Sequence, residues 1–127
     1  MIVVDTSVWV DAVRHPSGTS QATLKRLLDA DQVALPLPVR LELMAGIARK
    51  DREPFRRAMS ALPVLMPTEE TWQLVEGWIA PAADKGERFA VTDLLIAGLA
   101  QEIGALVWSL DEDFARLERL GRVQRYL

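Results

Sequence analysis

A chain of 127 residues, half of them apolar, with 15 Lys and Arg against 18 Asp and Glu for a net charge of −3, is expected to fold as a single domain over 1–127 with a core of its own. The absence of cysteine excludes disulfide frameworks and thiolate metal sites, so any metal must be held by oxygen. The acidic balance excludes a surface that attracts polyanions as a whole, and no run approaches the roughly 18 uninterrupted apolar residues of a membrane span, which predicts a soluble, cytoplasmic protein with no membrane partner.

Ile2, Val3 and Val4 form an apolar run suited to a strand buried on both faces, and the run stops at Asp5. Thr6 and Ser7 follow as capping residues for a helix carrying Val8, Trp9, Ala12 and Val13. A carboxylate therefore stands where a strand feeds into a helix, the junction at which open α/β sheets bind ligands. At the inner end of an apolar strand Asp5 is expected to face a cation or to shift its pKa; a helix N-cap and nothing more is the plain alternative. His15–Gly18 reads as a loop, and Thr19 or Ser20 caps a helix over Leu24, Leu27 and Leu28. His15 is the only histidine; beside Pro16 in a polar turn it reads as a surface residue, which removes the usual serine and cysteine hydrolase triads.

Gln32–Leu35 is a second strand closed by Pro36, and Pro38 suits the first turn of a helix running to about Ala48, with Val39, Leu43 and Ile47 as its buried stripe. Glu42 borders that stripe. Arg40, two residues away, does not face it, so a distant Arg is the plain partner. Arg49, Lys50, Arg52, Arg56 and Arg57 are mixed with Asp51 and Glu53 and read by themselves as a solvated face, as do Arg116, Arg119, Arg122 and Arg125. Lys50–Pro54 opens a helix with Phe55, Met59 and Leu62, and Val64–Met66 is a minimal third strand. Pro67 to Glu70 then start a helix through Trp72, Val75 and Ile79 that Pro81 should kink or divide. Trp72 and Trp78 sit at helical spacing and read as core or interface rather than as a base-stacking platform.

Thr92–Ile103 is apolar nearly all round, with Thr92 as cap, Asp93 in the first turn and Ala97, Gly98 and Ala100 small enough for close packing, so it is expected to be a helix at the centre of the molecule. The helix dipole alone would favour a carboxylate at Asp93. Ala105–Leu110 is a strand ending at Asp111, with Glu112 and Asp113 behind it, then a short helix over Phe114, Leu117 and Leu120 and an edge strand over Val123–Leu127. Strands and helices alternate without hairpin signals, which predicts an α/β fold: a three-layer α/β/α sandwich with a central parallel sheet and right-handed crossovers.

Each acid has a plain explanation alone. Together, Asp5 and Asp111 end apolar strands, Asp93 and Glu42 lie at or beside the buried side of helices, and all can converge at one sheet edge. Several carboxylates in one place cannot all stay ionised without a cation, and Mg²⁺ or Mn²⁺ is the hard ion that oxygen ligands suit. Such an ion orients and activates water and neutralises charge on a phosphoryl group, which is the chemistry of phosphodiester hydrolysis.

The order DTSVWVD at Asp5, RLELMAGI around Glu42, TDLLIAGLA at Asp93 and WSLDEDF at Asp111 closely resembles PIN-domain proteins, specifically the toxin ribonucleases of VapBC type II toxin–antitoxin pairs, over nearly the whole chain. The resemblance implies a PIN-like fold and a catalytic, metal-binding cluster of Asp5, Glu42, Asp93 and Asp111 supported by a hydroxyl such as Thr6 or Ser7. It further implies Mg²⁺- or Mn²⁺-dependent endonucleolytic cleavage of RNA, a homodimer, and a cognate VapB-like antitoxin. Asp5 and Asp93 are assigned as principal ligands, Glu42 as ligand or water-orienting base, and Asp111 as an outer or second-metal ligand, with Asp113 the alternative at that station. Ser109 stands where many relatives carry Thr and keeps the hydroxyl. Arg40 and the Arg49–Arg57 group, Arg49 and Arg52 among them, are expected to contact RNA phosphates or the antitoxin. Three rivals compete. A phosphoacceptor signalling domain would need its acceptor Asp at the end of a mid-chain strand, and Asp51 lies instead in the polar KDREP run. A haloacid-dehalogenase-like phosphatase would need a second Asp where Ser7 stands. A catalytically silent PIN-like binding module has no use for the acids this chain keeps.

Overall fold

In a computed structural model describing residues 1–127, Ile2–Val4 (β1), Val33–Pro36 (β2), Val64–Leu65 (β3) and Leu106–Trp108 (β4) form one parallel sheet in the order β3-β2-β1-β4. β1 is central: Ile2 pairs with Val33 on one side, and Ile2–Val4 pair with Leu106–Trp108 on the other. Val3, Val4, Leu35 and Val107 are fully buried, as expected of parallel strands covered on both faces, which have no polar side to alternate with. The helices are Thr6–Arg14 (α1), Thr19–Asp29 (α2), Leu37–Gly46 (α3), Arg52–Met59 (α4), Glu69–Asp84 (α5), Val91–Glu102 (α6) and Glu112–Arg119 (α7), with a 3₁₀ turn at Arg49–Asp51. They flank the sheet in the expected α/β/α arrangement, α1 packing on α2 and α3, and α6 on α5, α3 and α7. No helix is long and apolar enough to cross a membrane.

α6 is buried without interruption from Leu94 to Ala100. A Cβ added at Gly98 would lie 2.7 Å from Val75 Cγ1 on α5, and a β-branched side chain has little freedom to retreat. Gly98→Ala is therefore expected to destabilise the fold by about 1–2 kcal/mol, the overpacking outweighing alanine's better helix propensity, with a lower midpoint in urea and an unchanged slope.

Helix starts depart from the expected caps. Asp5, with extended backbone, is itself the N-cap of α1, so Thr6 and Ser7 occupy the first turn. Gly18 caps α2 in place of Thr19 or Ser20, and Ala90 precedes α6, leaving Thr92 inside it. α3 stops at Gly46, so Ile47 falls outside its stripe; Leu62 and Leu120 likewise lie just beyond α4 and α7. Pro81 does not divide α5. Pro81 and Gly77, four residues apart, are both exposed, so the carbonyl that loses its donor is on the solvent side. The buried stripe of α5 is Thr71, Val75, Trp78 and Ala82, whereas Trp72 and Ile79 are 49% and 52% exposed. Thr71, fully buried in that stripe, closes a capping box with Thr68 and donates to Glu102 Oε1 at 2.7 Å.

β2 takes in Pro36 and leaves out Gln32, and β3 loses Met66. β4 ends at Trp108 rather than Leu110, because the backbone turns there to meet a side chain: Leu110 N donates to Ser7 Oγ at 3.0 Å. The expected last strand reduces to one parallel bridge between Val107 and Arg125. It is held by Tyr126 packing edge-on against Trp108 and by Arg125 Nε donating to Glu118 Oε1 at 3.0 Å.

Candidate metal centre

The carboxyl ends of β1 and β4 and the first turns of α1, α6 and α7 meet at one edge of the sheet, where open parallel sheets place ligands. Asp5 directly follows β1 and is 5% exposed. Its backbone N–H donates to Trp108 carbonyl at 2.9 Å, fixing the residue against β4. Its Oδ2 accepts from Ser7 Oγ and Ser109 Oγ, both at 2.7 Å, and from Ser7 N at 3.4 Å. Oδ2 is thereby saturated, and Oδ1 is the oxygen left for a ligand.

The two serines also build the neighbouring loop. Ser109 Oγ accepts from Asp111 N at 3.0 Å, and Ser7 Oγ lies 3.3 Å from it. This places Asp111, the N-cap of α7, whose Oδ1 accepts from Asp113 N at 2.9 Å. Asp111 thus begins a helix and does not end a strand. The turn still delivers it to the expected place.

Asp93, partly buried in the first turn of α6, offers a carboxylate oxygen that lies with one each from Asp111 and Asp113 inside a group less than 4.8 Å across. Its pKa is pushed up from 3.8 to about 7, first by burial, then by the like charges of Asp5, Asp111 and Asp113, and by a hydrogen bond with Asp113. The sequence left Asp111 and Asp113 as alternatives; the structure brings both beside Asp93. An oxygen-only donor set whose members repel one another suits a hard divalent cation, which would supply the positive charge that Asp93 otherwise obtains from a proton.

Glu42 lies outside that group. It is exposed on α3, its Oε1 accepts from Thr6 Oγ1 at 2.9 Å, and no arginine pairs with it. Thr6 thus serves Glu42, while Ser7 and Ser109 serve Asp5. Arg40 is partly buried without a side-chain partner, Arg49 and Arg52 are exposed and unpaired, and Arg56 is occupied by Glu53 at 2.8 Å. Asp51 sits exposed in the 3₁₀ turn, at no strand end, which removes the phosphoacceptor reading. Trp78 is core, with the Arg122 guanidinium 5.3 Å from its ring centroid.

Sequence reasoning missed one group at this edge, Arg116 with Glu87. Arg116 follows Asp113 by three residues and pairs with it at 2.7 Å, a helical spacing that carried the signal. Glu87, 29 residues away, gave none.

A family model described as PIN domain matches residues 2–120. Among curated proteins, ribonuclease VapC11 of Mycobacterium tuberculosis is 29% identical over 129 residues, covering 98% of this chain and 96% of that protein. Among solved structures, VapBC2 from Rickettsia felis, bound to a DNA fragment from their promoter, matches with a TM-score of 0.81 and 18% identity over 99% of this chain and 98% of that one. VapC20 of Mycobacterium tuberculosis, a Sarcin-Ricin loop cleaving toxin, matches with a TM-score of 0.65 and 19% identity over 91% and 94%. At these identities the structural likenesses show a shared fold.

Proposed function

Because the chain belongs to the PIN-domain family, we propose that it is a divalent-metal-dependent endoribonuclease, the toxin of a type II toxin–antitoxin pair, acting as a single domain over 1–127. The observation that carries this reading is the convergence of Asp93, Asp111 and Asp113 within 4.8 Å, with Asp5 close enough to raise the Asp93 pKa. The names of the curated and structural relatives, a ribonuclease and a cleaving toxin, support RNA as the substrate, and the two-component VapBC structure supports a VapB-like antitoxin partner. A homodimer in the cytoplasm completes the proposal.

Asp5, Asp93 and Asp111, with Asp113 beside them, would hold Mg²⁺ or Mn²⁺. When bound, the ion supplies neutralisation of charge on the phosphoryl group and a more acidic water. The chain's own groups do the rest. Ser7 and Ser109 occupy Asp5 Oδ2 and leave Oδ1 without a hydrogen-bond partner for the ion. Glu42, held at Oε1 by Thr6, keeps Oε2 free to take a proton from water. Arg40, Arg49 and Arg52 carry uncommitted charge for RNA phosphates or the antitoxin.

The purified protein incubated with RNA is expected to cut in Mn²⁺ and not in EDTA, with ends mapped by primer extension; full activity in EDTA overturns the reading. Ser109→Ala, which strips Asp5 and the Asp111 backbone of one partner each, is expected to reduce activity about 10–100-fold with little change in melting temperature. Rates at saturating and limiting Mn²⁺ check it: a loss that saturating ion restores places the effect on ion affinity.

A further inference from the structure

Arg116, on α7, is only 25% exposed. Its Nε donates to Glu87 Oε2 at 2.7 Å, its Nη2 to the same oxygen and to the Arg88 carbonyl at 2.9 Å, and its Nη1 to Asp113 Oδ1 at 2.7 Å. The guanidinium lies over the Phe89 ring, 4.3 Å from its centroid. The segment that leads into α6, and hence to Asp93, is so joined through one planar fork to a carboxylate of the acidic group.

We infer that Arg116 is a positioning residue that holds Asp113 within reach of a divalent ion shared with Asp93 and Asp111, and that Glu87 fixes Arg116 for this task. The inference rests on the metal-centre reading above. Two effects oppose each other. A guanidinium 2.7 Å from Asp113 competes with an ion for that carboxylate, whereas its fixed geometry resists the repulsion that would drive Asp113 away from Asp93. Glu87 decides between them, because it shares the guanidinium and offsets its charge while leaving the orientation intact. Arg116 engages Oδ1 of Asp113 and not Oδ2, and an ion would take the place of the proton through which Asp93 hydrogen-bonds Asp113.

The test is Mn²⁺ titration of the full-length, metal-stripped protein by calorimetry, with metal-free melting temperatures measured alongside. Arg116→Ala is expected to weaken Mn²⁺ binding about tenfold, and Arg116→Lys, which keeps the charge but cannot reach Glu87, Arg88 and Asp113 together, to weaken it by less. Tighter binding in Arg116→Ala, or binding unchanged in both variants whatever happens to the melting temperature, overturns the inference alone. Should Arg116→Ala not fold, Arg116→Lys decides: weaker binding supports positioning, and unchanged binding refutes it. No Mn²⁺ binding by the unaltered protein sinks the metal centre and this inference with it.

Discussion

Asp93→Asn is expected to cut RNA cleavage by about 10²–10³-fold while raising the melting temperature above neutral pH. The two effects share a cause. Asp93 is held among Asp5, Asp111 and Asp113, where its ionised form is disfavoured by burial and by three like charges. An amide of the same shape removes that repulsion, yet it cannot supply the negative charge that a divalent ion needs. The fold does not depend on the carboxylate, because α6 is anchored by the continuous burial of Leu94 to Ala100 behind it. Initial rates in Mn²⁺ and thermal melts at about pH 8 check the pair. Activity within a few-fold of the unaltered protein, or a lower melting temperature, would remove Asp93 from the centre of the site. Asp111→Asn should cost less activity, since Asp111 is exposed and an amide oxygen can still cap α7.

Much of this arrangement was legible because its signals are local. A run such as Ile2–Val4 has no polar alternation and therefore reads as a strand covered on both faces, and a segment apolar all round, such as Leu94–Ala100, reads as a central helix. Once the strands are parallel, residues where strands give way to the following helices fall on one edge, so the meeting of Asp5 and Asp111 follows from topology; Asp93 joins them from the start of α6, which follows α5 rather than a strand and leads into β4. Asp5 and Asp111 take the plain role of helix cap, each with one oxygen, which leaves the other oxygen for the proposed one. What was not legible was decided by contacts distant in sequence. Trp72 and Trp78 are equally apolar, and Trp78 is the one that shares the buried side with Thr71, Val75 and Ala82, where Thr71 reaches Glu102 on α6. The turn after Trp108 depends on the Ser7 hydroxyl across the sheet. Arg116 reads from its neighbours as part of a charged surface and is committed instead to Glu87 and Asp113.

Added Mg²⁺ is expected to raise the melting temperature steeply at about pH 8 and hardly at all near pH 5, with the rise centred close to neutrality. In the metal-free protein the folded-state pKa of Asp93 is raised from 3.8 to about 7, so the folded chain binds a proton that the unfolded chain releases. Stability from this group is therefore fully present below about pH 4 and is lost as pH rises to about 7, after which it is level; solvent screening at a partly exposed site limits the loss to about 1–2 kcal/mol. A divalent ion reverses the sign. It requires the deprotonated carboxylate, so it competes with the proton near pH 5 and meets no competition at pH 8. At a hundredfold excess over its dissociation constant the ion adds about 2.7 kcal/mol, which for a chain of this size is a shift of about 10 °C. Asp93→Asn should flatten the metal-free decline between pH 4 and 7, since it removes the group that titrates. A Mg²⁺ shift of equal size at both pH values would mean that the ion binds carboxylates other than those gathered around Asp93, and a metal-free stability that rises across the same range would mean that Asp93 is not the proton's site.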